Sequence, residues 1–495
     1  MGMDWHFDNT YARQMSWLGL RTDPVPVAEP NLLYLGEPLA RELGLDVDWL
    51  REHGSAVFAG SVVPEGAEPV AMAYAGHQFG HFSPRLGDGR AHLLGEVVDT
   101  RGRRRDIALK GSGRTVFSRG GDGRAAIGPV LREVLISEAM HALGIPSTRS
   151  LGAAETGEQV WRDQGPERGA VLARVAASHL RVGTLELVRT QGSVEQLREL
   201  VDYVRVRHYP DVAEGDVWAL FDEIASRQAE LIASWMSVGF IHGVMNTDNM
   251  ALSGETIDYG PCAFMDHYDP DTVFSSIDTG GRYRYSAQPT IAGWNLARLA
   301  ECLLPLDEEG PDAAVETATE RVNGFADLYT AAYRRRMAAK LGLTPVEESG
   351  AVATLVDDLL DVMQRERLDW TNTFRELART LSPNRTETSA RERTLSPNRT
   401  ETSADALESW IERWRPFIAN PTAAAERMDQ VNPAYVPRNH LLEAALEAAR
   451  SGDLEPFHAL VEVVREPFSE RAGLRRYAEP APERFTATYV TYCGT

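Results

Sequence analysis

Apolar residues change their spacing part-way along this chain, which points to a fold where a strand-rich part precedes a helical one. From about residue 71 to 165, glycine-rich turns separate short apolar runs such as AHLLGEVV (91–98) and DIALK (106–110), which read as strands. One helix interrupts them: Gly128-Pro129 suits its first turn, VLREVLISEAMHAL follows, and Gly144 suits its stop. From about 210 the spacing turns helical, as in VWALFDEIASRQAELIASWMSVGF (217–240) and AGWNLARLAECLL (292–304). The expected class is α+β, a small β-rich lobe followed by a larger helical lobe.

The 495 residues allow about three structural units at roughly 150 residues each. The pattern divides them into an N-terminal extension (1–70), packed on the body through Pro-rich connections; the strand-rich lobe (71–165); the helical lobe (166–345); and an acidic, helical C-terminal region (346–495). Within the last, RTLSPNRTETSA occurs at 379–390 and again at 393–404, which reads as a loop enlarged by duplication, since two copies do not make a solenoid. No apolar run approaches the roughly 18 residues of a membrane helix. The N-terminal stretch lacks an apolar signal core, and Cys262, Cys302 and Cys493 are too few for a disulfide framework, so a reducing cytoplasm is the expected compartment. A net charge of −21 argues against a general nucleic-acid surface, so any phosphate binding would be local.

Of the 51 basic residues only two are lysines, Lys110 and Lys340. A lysine kept on such a background points to chemistry that arginine does not supply, a compact charge on a flexible stem. Lys340 follows Arg334, Arg335 and Arg336 on an evident helix and is expected at the surface. Lys110 ends the strand 106–110, where alternation puts Ile107 and Leu109 on one face and Ala108 and Lys110 on the other. Upstream, Gly87 and Gly89 flank Asp88 before Arg90, a turn whose amides could approach phosphate oxygens, although a plain glycine hairpin reads the same way. The run GSGRTVFSRGGDGRAAIG (111–128), with Asp122 and Gly123 near the helix entrance, reads as a linker or as an anion-contacting loop. The helix after it carries Glu133 and Glu138, and periodicity does not choose which of them pairs with Lys110.

The segment FIHGVMNTDNMALSGETIDYGP (240–261) brings His242, Asn246, Asp248 and Asn249 into one loop, followed by Asp258. Oxygen donors suit a hard cation such as Mg2+, and His242 has no cysteine or histidine at zinc spacing. Asp248 is a candidate base; the bland alternative is a capped, hydrogen-bonded turn. Glycine turn, strand lysine, helix glutamate, Asp/Asn loop and Asp-x-Gly follow the order used by kinase-like phosphotransferases. Gly243 and Val244 stand after His242 where a protein kinase has Arg-Asp, which argues against an ordinary protein kinase.

The segments AYAGHQFGHFSPRLGDGRAHLLGE (73–96), IALKGSGRTVFSRGGDGRA (107–125) and HGVMNTDNMALSGETIDYGP (242–261), with FDNTYAR (7–13) and NLLYLGEPLARELGLD (31–46), resemble those of the selenoprotein-O family. That family consists of pseudokinase-like protein adenylyltransferases. The resemblance implies a protein-kinase-like two-lobed fold and transfer of AMP from ATP to Ser, Thr or Tyr hydroxyls of protein substrates, releasing pyrophosphate, with UMP as an alternative group. The nucleotide would bind flipped relative to a kinase, exposing its α-phosphate. By the same resemblance Gly87, Gly89, Arg90, Lys110, Asp122, Gly123, Arg174, Arg181 and Asp258 bind nucleotide, Glu133 pairs with Lys110, and Asp248 accepts the proton. Asn249 and Asp258 would hold Mg2+ or Mn2+. It also implies redox control through Cys493, near the C-terminal end in TYCGT; Cys262 is the candidate partner, although the family's partner is expected further along, where this chain reads DPDTVFSS. A kinase-like phosphotransferase and an inactive ATP-binding scaffold are the rival readings.

Overall fold

A computed structural model of the chain describes residues 5–162, 165–343, 350–382 and 401–492, the side chains of 401–405 excepted. Its strand-rich part contains β1 (Gly19–Arg21), β2 (Asn31–Leu35), β3 (Val70–Met72), β4 (Gly76–Gln78), β5 (His81–Ser83), β6 (Ala91–Val98), β7 (Arg104–Lys110), β8 (Ala125–Ala126), β9 (Arg149–Arg162) and β10 (Gly165–Ala176). Strands β4 and β5 form a hairpin of their own. The rest make one eight-stranded sheet in the order β1-β3-β6-β7-β10-β9-β2, with β8 beside β10, and its pairings are antiparallel.

Alternation along the strands sends apolar side chains into two cores. Ile107, Leu109, Val171, Ala173 and Val175 pack with Leu50, Val57 and Phe58 of α1 (Val47–Phe58). Gly152 lets that helix approach, since a Cβ there would lie 2.2 Å from the Phe58 ring. Leu93, Ala108, Ala170 and Leu172 face the opposite way, into the core of α2 (Ile127–Ala142) and the helical part. Helix α2 is buried through most of its length and stops at Gly144, which takes φ +74°.

Two features of the layout differ from the sequence expectation. The first 70 residues do more than pack on a body: β1 and β2 pair at the two ends of the sheet path, where unpaired strand edges would otherwise be left. Strand β10, beyond residue 165, belongs to the sheet as the partner of β9 and β7.

The helical part includes α3 (Val182–Gln191), α4 (Val217–Val238), α5 (Gln288–Leu303), α6 (Pro311–Lys340), α7 (Trp370–Thr380) and α8 (Asn439–Arg450). Gly239 ends α4 at φ +72°, with the Trp370 indole so close that a Cβ would lie 2.9 Å from it. The first copy of the repeated dodecapeptide begins inside α7, the second ends in the helix Glu401–Trp414, and residues 383–400 between them lie outside the described residues. Lys340 is not at the surface. The last turn of α6 is covered by α7, and the lysine is buried with Nζ donating to Asn432 Oδ1 at 2.8 Å and lying 3.9 Å from the Phe374 ring centroid. The arginines before it do not predict its exposure, because a helix turns about 100° per residue and neighbours in sequence face different ways. The architecture is α+β, and among the described residues no helix is long and apolar enough to cross a membrane.

Candidate active site

Lys110 pairs with Leu172 of β10, and Ala108 pairs with Arg174. Opposed residues of an antiparallel pair share a face, so Lys110 and Arg174 project from the same side of the sheet, toward α2. There the Lys110 ammonium donates to Glu133 Oε2 at 2.7 Å and to the Asp258 carboxylate. Arg174 Nη1 lies 3.2 Å from Glu133 Oε1 and 3.4 Å from Asp258 Oδ1. Two cations and two carboxylates, from β7, β10, α2 and the loop after α4, thus meet in one cluster, with Glu133 and Arg174 buried and Lys110 and Asp258 half-buried. Glu138 belongs elsewhere, 3.3 Å from Arg149 and 3.0 Å from Arg465. Burial alone would raise the Asp258 pKa, but the charges of Lys110 and then Arg174 outweigh it and hold this carboxyl well below the usual range.

Asp258 reaches the cluster because its loop is closed at the base. Strands β11 (Phe240–Ile241) and β12 (Ala263–Phe264) pair as Phe240 with Phe264 and Ile241 with Ala263. Residues 242–262 are the excursion between them. His242, fully buried, accepts from Val244 N at 3.3 Å and donates Nε2–H to Ile257 O at 2.9 Å, so the ring pins both arms and is no metal ligand. Its burial lowers its pKa and favours this neutral form. Asp258 adopts φ +70°, a left-handed conformation that Asp tolerates better than most side chains. Asn249 Nδ2 donates to Val244 O at 2.9 Å, which leaves its amide oxygen as the acceptor end.

Asp248 sits on the turn Thr247–Asn249 of this loop. Burial pushes its carboxyl up to about 6, against the opposing charge of Arg181. Arg181 Nη1 holds the Asp248 backbone carbonyl at 3.0 Å, and its Nε donates to His179 O at 3.1 Å. The guanidinium expected to touch phosphate is therefore also a brace for the turn. The loop meets the β4–β5 hairpin closely: a Cβ on Gly76 would lie 2.9 Å from Asp248 Oδ1.

The two glycine loops pack on each other. Gly87 takes φ +100°, and a Cβ there would lie 2.5 Å from the Phe117 ring; one on Gly89 would lie 2.9 Å from Phe117 O. Packing against Phe117 thus requires both glycines. The Arg90 carbonyl accepts from Gly111 N at 2.7 Å, tying the first loop to the end of β7. Gly123 takes φ +72°, in a tight pairing with Gly113 that leaves no room for a side chain. Asp122 accepts from Arg124 N at 2.9 Å and Arg162 Nη1 at 2.7 Å, so it shapes its own loop. Cys262 is buried, its thiol donating to Tyr259 O at 3.4 Å and pushed up to about 12 by desolvation. Thr491 Oγ1 donates to Pro261 O at 2.6 Å; Cys493 lies outside the described residues.

Sequence reasoning missed the support behind Arg174. Its Nε donates to His179 Nε2 at 3.2 Å, His179 Nδ1 lies 3.0 Å from Asp106 Oδ2, and Asp106 Oδ1 accepts from Arg207 at 2.5 Å. Arg207 also pairs with Glu96, which accepts from Thr10 at 2.9 Å and from Tyr11 N at 3.1 Å. The segment FDNTYAR is therefore joined to the cluster through buried polar contacts. A signal was present, since charged residues spaced within otherwise apolar strands imply buried partners, but the partners lie too far apart in sequence to pair by eye.

Cations gathered beside a strand lysine, with a raised carboxyl on the facing loop, suit reaction at a phosphorus centre and place the protein among the transferases that act on nucleotides. The family model described as "Protein adenylyltransferase SelO" matches residues 8–465. A protein nucleotidyltransferase YdiU of Cereibacter sphaeroides is 53% identical over 499 aligned residues, covering 100% of each chain. Relatives of the same name from a Mycobacterium species and from Pseudarthrobacter chlorophenolicus are each 52% identical, the first covering 99% of both chains and the second 98% of this chain and 97% of its own. The chain belongs to the SelO family and is a nucleotidyltransferase.

Proposed function

We propose that the protein is a kinase-like, two-lobed adenylyltransferase that moves AMP from ATP to Ser, Thr or Tyr hydroxyls of protein substrates, with UMP as an alternative group. The observation that carries this reading is the meeting of Lys110, Arg174, Glu133 and Asp258 in one cluster. Lys110 and Arg174 bind the phosphates of the leaving pyrophosphate, and Glu133 keeps both cations directed. Arg181, with two donors on the backbone, adds positive charge to the same region. Gly87, Gly89, Arg90, Asp122 and Gly123 form the two packed loops over which the nucleotide lies.

In the reaction the substrate hydroxyl oxygen bonds to the α-phosphorus, the bond to the β-phosphate oxygen breaks, and pyrophosphate leaves. Asp248 takes the hydroxyl proton; a carboxyl raised to about 6 is a better base than an ordinary aspartate while still ionised at neutral pH. Asn249 and Asp258 are the residues that would hold Mg2+ or Mn2+. Their donor atoms are all oxygens, which suits a hard cation, and among the described residues no three His, Cys, Asp or Glu side chains converge, so such an ion would take its remaining ligands from phosphates and water. When bound, it neutralises phosphate charge.

A regulatory Cys262–Cys493 disulfide, formed under an oxidant such as oxidised glutathione, would require Cys262 to leave its buried, protonated state beside Pro261, which Thr491 contacts. Free thiols throughout, by non-reducing mass spectrometry after such oxidation, would remove it.

The main test is ATP labelled on the α- or the γ-phosphate, incubated with enzyme and protein acceptors. The expected result is α-label on protein and none from γ. Transfer of γ-label alone would make the protein a phosphotransferase, and no transfer would make it an ATP-binding scaffold.

A further inference from the structure

The two oxygens of Asp248 are treated unequally. Among the described residues Oδ1 is buried with no hydrogen-bond partner, whereas Oδ2 accepts from Gln78 Nε2 at 3.3 Å. Oδ1 is closed off beside Gly76, so among the described residues Gln78 is the side-chain donor that fixes the rotation of the carboxylate.

The reach of Gln78 is set by backbone contacts on either side of it. His77 N donates to Thr247 Oγ1 at 2.7 Å, and Phe79 N donates to Asn246 Oδ1 at 3.0 Å. Thr247 in turn donates to Glu186, and Tyr283 Oη donates to Asn246 Oδ1 at 2.6 Å. At the start of the hairpin, Ala75 N bonds Gly183 O at 3.0 Å. The strand carrying Gln78 is thus fastened to the turn carrying Asp248, and Gly76 leaves room for the Asp248 side chain.

We propose that Gln78 is a positioning residue: its amide holds Asp248 by Oδ2 and fixes the orientation of the carboxylate that takes the proton of the substrate hydroxyl. This rests on the reading of Asp248 as proton acceptor. The O–H bond of the substrate breaks, its proton passes to the Asp248 carboxylate, and its oxygen bonds to the α-phosphorus as pyrophosphate departs; Gln78 gains and loses nothing. A glutamine suits the task because its amide donates without titrating and does not compete as a base.

The test uses the full chain, α-labelled ATP and a dialysed bacterial protein extract as acceptor. Gln78→Glu keeps the shape and removes the donor; Gln78→Leu removes it without adding charge. Gln78→Leu is expected to lower the maximal rate of labelling by about fivefold or more, with the KM for ATP within about twofold of the parent and the melting temperature unchanged, because only the orientation of one group is lost; Gln78→Glu, which sets a second carboxylate beside Asp248, is expected to lower the rate at least as much. If Gln78→Leu fails to fold, Gln78→Met, of similar length, uncharged and without a donor, decides. A smaller loss in a folded variant overturns the proposal, as does a KM that rises in step with the loss, which marks general distortion. Asp248→Asn separates the two levels. Should it label at the parental rate, the proton-acceptor reading fails and this inference with it; should it be inactive while the Gln78 variants work, only this inference fails.

Discussion

Lys110 and Asp258, 148 positions apart in sequence, are in direct ion-pair contact. The contact joins the last residue of a sheet strand to the loop that carries the acidic chemistry, and Glu133 and Arg174 complete it from two further elements. If either member of the pair is replaced, Glu133 stays beside Lys110 or Arg174 beside Asp258, so the cluster is built with redundancy.

Lys110→Arg keeps the charge and changes its shape. A planar guanidinium cannot place one compact donor between Glu133 Oε2, at 2.7 Å, and Asp258. The expected outcome is a folded protein whose AMP transfer falls by about 100-fold, the scale of a 1 Å misplacement at a reacting centre. Full activity in the α-label assay would show that charge alone is used.

Asp258→Asn and Asp258→Ala separate function from backbone strain. At φ +70° asparagine is tolerated as aspartate is, whereas alanine adds strain of about 1 kcal/mol or more. Both variants are expected to lose AMP transfer and its response to added Mg2+. Denaturant titration should find Ala less stable than Asn; the reverse order would show that the left-handed backbone is not what the position demands.

What was legible in the sequence follows from the range of the interactions involved. The strand ending at Lys110, the helix carrying Glu133 and the stop at Gly144 are set by local alternation and turn chemistry, and they stand where spacing put them. The loop 240–261 was legible as a chemical unit because its polar residues are close in sequence. The roles of Arg181, Asp122 and Lys340 were not, because each depends on contacts across the fold: a carbonyl on the Asp248 turn, a guanidinium 40 positions on, an amide 92 positions on. Glu133 and Glu138 show the same limit. They lie on one helix, both buried, and only the placement of β7 beside Glu133 and of Arg465 beside Glu138 decides which meets the lysine.

Arg438 joins the C-terminal region to the segment after Asp258. Its guanidinium lies 2.7 Å from Asp266 and 2.7 Å from Asp369, all three buried. Arg438→Met leaves two carboxylates without their cation, and the expected cost is about 3–5 kcal/mol, read as a lower denaturant midpoint. A midpoint within error of the parent would show that water or another cation compensates.

Lys340 makes stability depend on pH in a direction opposite to that of most buried cations. Burial lowers its pKa from 10.5 to about 7, and among the described residues no carboxylate pairs with it; it keeps Asn432 Oδ1 at 2.8 Å and the Phe374 ring. Below about 7 the lysine is protonated both folded and unfolded, so pH has no leverage through it. Between about 7 and 10.5 the unfolded chain still binds a proton that the folded one has released. Stability therefore rises with pH through that window, at up to about 1.4 kcal/mol per pH unit, and levels off above it. Lys340→Met removes the titrating group and keeps an unbranched apolar stem for the same space. Other groups titrate in this range too, so the measurement is the difference between parent and variant in denaturant midpoint from pH 6 to 10. That difference should be flat at the acid end and then move in favour of the parent as pH rises; parallel curves would show that the buried lysine keeps its proton.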